Sequence, residues 1–373
     1  MKIIADQSMP LVTELFGPYG DVDLLPGREI STVEIADADV LLVRSVTKVD
    51  ADLLNGSKIK FVGSATIGTD HIDLDYLQAE GVHFAHAPGC NAQSVMQYDL
   101  SVMTRLVPDW RNKTVGIVGC GNVGGSLLKA LLSIGVSCRV YDPLLCPDSG
   151  IATTNFEAVL DSDILCLHTP LTFSGLQPTY HLLDAKALSK LKPGCLLINA
   201  GRGAVVDNQA LLARLKGGAD LLVALDVWES EPLIDLELLE YVSMASPHIA
   251  GYSLEGKVKG TSMVFKEFMN WQGASWEEIN SPKLDAMDAC PVVISRVADA
   301  ILASFDVGAD DARMRSILDG VKPNSNLIGE YFDRLRREYP DRREWKAMVF
   351  DSERLKLSHN DCLTLTSLGF NLG

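Results

Sequence analysis

Apolar residues fall along this chain in two rhythms. Short unbroken runs of about four residues mark strands buried on both faces. Between them lie stretches where apolar positions recur every three or four residues, the mark of helices packed by one face. In the N-terminal part the strand candidates are 2–5, 40–43, 60–63 and 82–85, with helical runs filling between. A second series begins at Thr114 with strand candidates 115–118, 137–141, 164–167, 195–199, 222–225 and 241–245. Strands alternating with helices predict parallel α/β sheets, and the six-strand series is the doubly wound pattern.

Punctuation between the runs divides the chain. Pro88-Gly89-Cys90-Asn91 breaks it, and a helix follows with Val95, Tyr98, Val102 and Leu106 on one face, ending before Pro108. It reads as a hinge helix entering the second series. After Pro247, residues 257–271 form an amphipathic helix (Val258, Thr261, Val264, Phe265, Phe268) that returns to the first series. Residues 273–282 read as a connection. Helical runs at 292–305, 309–318 and 327–339, then strand-like stretches at 345–350, 354–358 and 363–370, make a third region.

One stretch carries a chemical signature. Val115–Val118 is followed by Gly119, Gly121 and Gly124 in the spacing G-x-G-x-x-G, with Asn122 and Val123 between them. A helix run (Leu127, Leu128, Leu131, Leu132) and a strand ending on Asp142 come next. In a dinucleotide site the first glycine makes the tight turn, the second lets backbone approach the pyrophosphate, and the third lets helix pack on strand. The helix N-terminus then presents unsatisfied N–H groups to the phosphates. A bare glycine pattern is weak evidence, but this one has a strand before it, a helix after it and an acid at the next strand end. Asp142 is placed to accept from ribose hydroxyls, which selects NAD. NADP asks for a basic residue there, and Pro143-Leu144-Leu145 has none.

Composition narrows the picture further. With 373 residues the chain is long for one core and predicts two or three domains. Its 33 basic against 49 acidic residues leave a net charge of −16, which argues against nucleic acid or an anionic membrane as partner. No apolar run is long enough for a membrane span, and MKIIADQSMP lacks the basic and apolar regions of a leader. Eight cysteines are scattered without a C-x-x-C pair, predicting reduced cytoplasmic thiols and no zinc site.

Candidate chemistry sits directly after predicted strands, where open α/β sheets bind ligands. In the first series, polar turns follow at Arg44-Ser45-Val46-Thr47 and at 64–71, which includes Thr66; both are substrate candidates, although helix caps explain Thr69 and Asp70 as well. In the second series the turns are Asn199-Ala200-Gly201-Arg202-Gly203, then residues 226–232 with Asp226 and Glu231, then residues 246–252 with His248. Hydride transfer from a secondary alcohol needs a cation for the substrate carboxylate, a base for the hydroxyl proton, and an acid to orient that base. Arg202, His248 and Glu231 supply these. Singly, Glu231 reads better as a helix start, and Arg202 and His248 read equally well as a surface charge and a capped turn; together, downstream of a dinucleotide loop, the three read as one site. His168 reads as a packed strand-end residue beside Thr169.

The motifs GCGNVGG, DILCLHTPLT, LLINAGRGAVVDNQAL, ALDVWESEP and PHIAGYSLEG, in this order, resemble the D-2-hydroxyacid dehydrogenase family over residues 1–272. LLVRSVTKV, SATIGTDHIDLDY and HAPGCNAQSV, with the extra C-terminal region, resemble a branch of it that oxidises a small anionic phosphorylated 2-hydroxy acid. The resemblance implies Arg202, Glu231 and His248 as catalytic residues. It implies Asp142, Thr169, Ala200, Gly201, Arg202, Asp226 and Gly251 around NAD, and Ser45, Thr66 and Tyr252 at the substrate; Arg44 is added as a phosphate contact from its position and charge.

The expected fold is α/β: a flavodoxin-like substrate-binding domain over 1–92, completed by 253–280, and a Rossmann NAD domain over 93–252. A small α+β region over 286–373, too small to be comfortable alone, is expected to make a homodimer. The alternatives are a phosphoglycerate- or glyoxylate-type dehydrogenase of the same family, or an NAD-sensing binding protein.

Overall fold

The computed structural model describes residues 1–218, 221–274, 284, 290–321 and 327–372. The chain forms two compact units, Met1–Asn91 with Tyr252–Ala286, and Ala92–Gly251 with Met287–Gly373. Most of the connection expected at 273–282 lies outside the described residues.

In the first unit β1 (Lys2–Asp6), β2 (Asp21–Leu25), β3 (Val40–Val43), β4 (Phe61–Ser64) and β5 (His83–His86) form one parallel sheet. Their order is β2-β1-β3-β4-β5, the flavodoxin-like order. One face carries Ile35, Leu41, Val62 and Leu77. The other is covered by the helix Leu254–Trp271, whose Val264, Phe265 and Phe268 pack on Phe16 and Phe61. A side chain at Gly63 would meet Val264 Cγ1 at 2.3 Å, so that glycine is what lets the helix lie so close to β4. Strand β2 replaces what reads in the sequence as part of a helical stretch. It is an edge strand with Asp21 and Asp23 exposed, so it never shows the buried-run pattern of its neighbours.

In the second unit β6 (Thr114–Val118), β7 (Ser137–Tyr141), β8 (Ile164–Leu167), β9 (Leu196–Asn199), β10 (Leu222–Leu225) and β11 (Met244–Ala245) are likewise parallel. The order β11-β10-β9-β8-β6-β7 reverses direction between β6 and β8, which puts a topological switch point at the end of β6. The last strand is shorter than expected because Tyr241 ends the helix Leu236–Tyr241, which Asp235 caps by accepting from Glu237 and Leu238 N–H.

The C-terminal residues belong to this second unit. Met314, Ile317 and Phe332, from helices Val307–Val321 and Ile328–Arg337, share one core with Leu238, Leu239 and Val242. Asp311 accepts the N–H of Ala245 at 2.8 Å, and Arg315 donates to the carbonyls of Leu239 and Val242. The strand expectations here need correction. Among the described residues, 345–350 and 354–358 hold no strand: Trp345–Ala347 is a 3-10 turn, and pairing is limited to isolated bridges, Cys290 to Phe350 and Ile294 to Leu355. Residues 363–370 lie mostly in the helix His359–Leu368. Ser358 Oγ accepts the N–H of Asp361 and starts that helix, and Leu365 and Leu368 are its buried positions. The region is therefore mainly helical where α+β was expected.

No helix among the described residues is long and apolar enough to cross a membrane.

Candidate active site

Strand β6 delivers the chain into the glycine loop. Gly119 stands at φ 86°, where a side chain would press on the His168 carbonyl at 2.8 Å. Gly124 lies against the Gly119 carbonyl oxygen, 2.0 Å from where its own Cβ would be. Around the Cβ position of Gly121 nothing lies within 4 Å. Two of the glycines thus serve packing, and the middle one leaves the open approach that a pyrophosphate requires. The helix Asn122–Ser133 begins there. Asp142 Oδ2 accepts from Cys120 N–H at 2.8 Å and Oδ1 from Leu144 N–H at 3.1 Å, which fixes the carboxylate beside the loop. Each oxygen keeps further acceptor capacity for ribose hydroxyls. Thr169 Oγ1, after β8, is buried with no partner in the protein. An orphaned hydroxyl and an open glycine in one loop pair fit a dinucleotide.

The three strand-end turns hold the side chains that the sequence puts forward for catalysis. After β9, Asn199 is fully buried, and its amide donates to the Arg202 carbonyl at 3.0 Å and accepts from Gly201 N–H at 3.2 Å. It braces the turn that carries Arg202, whose Nη1 donates to the Gly201 carbonyl at 2.8 Å. After β10, Trp228 N–H donates to Glu231 Oε2 at 3.2 Å, and a cis peptide joins Glu231 to Pro232. Glu231 Oε1 makes a short hydrogen bond with His248 Nδ1. Burial alone would push the Glu231 carboxyl up, but the charge and hydrogen bond of His248, with Arg336, hold it below its ordinary value. The structure therefore joins Glu231 to His248. His248 Nδ1 is occupied by an acceptor, and Nε2 is the nitrogen left to exchange a proton.

His248 itself stands at φ 57°, a left-handed conformation that costs a non-glycine residue about 1–3 kcal/mol and needs support. Asp226 provides it. Its carbonyl accepts from His248 N–H at 2.7 Å, Oδ1 from Ile249 N–H at 2.8 Å and Ser246 Oγ at 2.7 Å, and Oδ2 from Ala250 N–H at 3.0 Å. Burial pushes the Asp226 carboxyl above its ordinary value, opposed by the His248 charge and these donors. The side chain assigned to cofactor binding by resemblance is thus turned onto the histidine turn. Tyr98, from the helix Ala92–Leu106, extends the network through its hydroxyl, 3.0 Å from Ser246 Oγ.

In the first unit, Thr66 Oγ1 donates to the Gly68 carbonyl at 2.8 Å and lies 2.7 Å from Ser64 Oγ. Arg44 and Lys257 lie 5.1 and 5.5 Å from the centroid of the Tyr252 ring, so Arg44 and Tyr252 are brought together there. Ser45 is exposed on the same turn as Arg44. The helix cap expected at Thr69 or Asp70 is Asp73, which accepts from Tyr76 N–H.

Sequence reasoning passed over Asn199, Ser246 and Lys257. The first two act on backbone groups whose positions only the fold defines; Lys257 could be found only as a cation near Tyr252. His168 is packed, with Nε2 3.0 Å from Asp99 Oδ2 and both side chains at most 1 % exposed. His181, Asp207 and Glu229 also converge, but each carboxylate is engaged: Glu229 with His181 Nε2 at 2.6 Å and Asn208 N–H at 3.0 Å, Asp207 with Ala210 N–H at 2.9 Å.

Glycine loop, acid-ended second strand and a His–Glu pair on successive strand ends are the features of D-isomer specific 2-hydroxyacid dehydrogenases. Residues 91–250 match the model of that family's NAD binding domain, and residues 281–369 match a domain of unknown function (DUF3410). The fold is shared with D-lactate dehydrogenase from Aquifex aeolicus complexed with NAD and lactic acid, at TM-score 0.64 and 23% identity over 73% of this chain and 96% of that one. It is shared also with NAD+-bound 3-phosphoglycerate dehydrogenase of Entamoeba histolytica, at TM-score 0.62 and 23% identity over 75% and 98%. Sequence likeness is nearer elsewhere. Erythronate-4-phosphate dehydrogenase of Teredinibacter turnerae is 45% identical over 100% of this chain and 99% of its own length. That of Cronobacter sakazakii is 42% identical over 100% and 98%. The chain belongs to the erythronate-4-phosphate dehydrogenase family.

Proposed function

We propose that this chain oxidises 4-phospho-D-erythronate at C2 to 2-oxo-3-hydroxy-4-phosphobutanoate, in the formation of pyridoxal 5′-phosphate. The observation that carries the reading is the Glu231–His248 pair, with Nδ1 of the imidazole held and Nε2 left for a substrate proton. NAD supplies the acceptor for the hydride that leaves C2. His248 Nε2 takes the hydroxyl proton as that hydride departs, so alcohol becomes ketone with one hydride and one proton removed. Glu231 orients the imidazole and stabilises the imidazolium. Arg202 binds the C1 carboxylate and polarises the forming carbonyl.

Gly119, Gly121, Asn122, Val123, Gly124, Asp142, Thr169, Ala200, Gly201, Asp226 and Gly251 are assigned to the cofactor. Most belong to the glycine loop or to the turns that follow strands of the same sheet; Asp226 acts by holding the backbone of the His248 turn. Ser45, Thr66 and Tyr252 are assigned to the substrate's polar tail and Arg44 to its phosphate, a reading supported by the two cations that flank Tyr252.

Residues 1–92 with 253–280, 93–252 and 286–373 serve as substrate, cofactor and dimerisation domains, and the enzyme is a homodimer. Its place is the cytoplasm, in keeping with eight free cysteines.

The test is turnover with 4-phosphoerythronate against 3-phosphoglycerate, coupled to a 2-oxo acid so that tightly held NADH does not hide the reaction. The phosphoerythronate is expected to be preferred. His248→Ala is expected to lose roughly 10²–10⁴-fold in kcat while still binding NADH. Preference for 3-phosphoglycerate overturns the substrate. Failure to turn over any 2-hydroxy acid would favour the NAD-sensing binding protein.

A further inference from the structure

Arg342 lies in the part of the chain that matches a domain of unknown function, yet its guanidinium reaches the histidine turn. It is 9 % exposed, and Nη2 donates to the Ala250 carbonyl at 2.9 Å and to Ser94 Oγ. Ser94, wholly buried on the helix Ala92–Leu106, donates to the same carbonyl at 2.6 Å. The face of the guanidinium lies 3.7 Å from the centroid of Phe305.

The peptide groups around Ala250 are therefore gripped from two sides. The N–H goes to the Asp226 carboxylate at 3.0 Å, and the carbonyl goes to Arg342 and Ser94. His248, two residues earlier, is the position whose left-handed backbone most needs holding. A neutral hydroxyl would satisfy one carbonyl at little cost, whereas a buried guanidinium is costly unless charge and π partners compensate it. Here the Phe305 ring and the charge of Asp310 compensate it against the burial that lowers its proton affinity.

We propose that Arg342 is a positioning residue for the catalytic turn, through which the C-terminal region holds His248 in register. The proposal rests on the reading of His248 as the acid/base.

Three variants and two readouts test it. Arg342→Gln is expected to lower kcat roughly 10- to 100-fold, the range a small misplacement of a reacting group produces, with KM for substrate and NADH affinity within about twofold. Arg342→Lys, which keeps the charge, is expected to recover part of the loss. Trp345→Phe alters a neighbouring buried residue, stacked on Phe370 at 4.4 Å, and is expected to lower Tm without lowering kcat.

Amide exchange in residues 246–251 is read alongside and needs no turnover. It is expected to quicken in Arg342→Gln but not in Trp345→Phe. Wild-type exchange and kcat in Arg342→Gln overturn the proposal, and so does a loss confined to KM, which would make Arg342 a substrate contact. Should Arg342→Gln fail to fold, wild-type values in Arg342→Lys overturn it. If the wild type turns over no 2-hydroxy acid while exchange still quickens, the activity reading fails and the positioning role stands.

Discussion

At His248 two demands meet on one residue. In the proposed reaction the ring keeps one nitrogen for the substrate, and the backbone stands at φ 57°, where a side chain is strained. Glu231 meets the first demand and Asp226 the second. Replacing Glu231 with Gln keeps the shape and removes the charge that stabilises the imidazolium. The acid limb of the kcat/KM profile for alcohol oxidation should then move to lower pH, and kcat should fall roughly tenfold or more. An unmoved limb would refute the pairing.

The same carboxylate also acts on stability. Its folded pKa is depressed, so its contribution is present above the ordinary carboxylate range and is lost as pH falls through the folded value. The Tm of Glu231→Gln should therefore lie below wild type at neutral pH and converge with it in acid. At this scale Arg202, Glu231 and His248 could be put forward from the sequence only jointly, as a cation, an acid and a histidine on three successive strand-end turns downstream of a dinucleotide loop, and the structure joins the last two. Asn199, Ser246 and Ser94 were not legible, since a small polar residue that serves a distant backbone group leaves no local pattern.

Among the elements, the glycine loop separates packing from binding. A methyl group at Gly124 would meet the Gly119 carbonyl oxygen at 2.0 Å, whereas one at Gly121 would meet no protein atom within 4 Å. Gly124→Ala is expected to lower both Tm and NADH affinity. Gly121→Ala should leave Tm near wild type yet weaken NADH at least roughly tenfold, because its methyl points where the pyrophosphate must come. Fluorescence titration and thermal melts distinguish the two; equal NADH binding by Gly121→Ala would move the cofactor away from this loop.

In the helix Val307–Val321, Asp310 is 5 % exposed and accepts from the Tyr339 hydroxyl at 3.0 Å. Burial pushes its carboxyl from 3.8 up to about 6, against the Tyr339 hydrogen bond, Arg313 and Arg342, with Asp226 adding to the rise. A raised acid favours the fold below its unfolded pKa and loses that contribution as pH rises through its folded one. The stability of Asp310→Asn relative to wild type should rise between about pH 4 and pH 7, toward an upper limit on the order of 3 kcal/mol, and is read as a growing Tm difference. A difference that does not change with pH would contradict it.

The strands buried on both faces were legible because an unbroken apolar run has few other uses. β2 escaped because Asp21 and Asp23 give an edge strand a polar surface. The final helix escaped because its start depends on the Ser358 cap, while apolar residues at 363, 365, 368 and 370 also suit a strand.

Over the whole molecule, the C-terminal region puts Met314, Ile317 and Phe332 into the core of the nucleotide-binding unit. It is therefore an integral layer of that unit, which a sequence reading could not see because the core is shared between stretches far apart in the chain. It also leaves apolar side chains exposed. Val292, Val293, Val349 and Leu363 are 48 %, 49 %, 43 % and 54 % exposed, and Val292 and Val349 flank the segments joined by the Cys290–Phe350 bridge. Scattered exposed apolar residues are ordinary, but several in one small region mark a surface that gains by being covered.

A second copy of the chain is the expected cover, and light scattering at micromolar concentration should give the mass of two chains. The double change Val293→Asp and Val349→Asp should shift that mass toward one chain. NADH binding should survive the change, because the glycine loop lies at the end of β6, within a core the substitutions do not touch. A monomeric wild type, or a double variant that remains fully dimeric, would place the contact elsewhere.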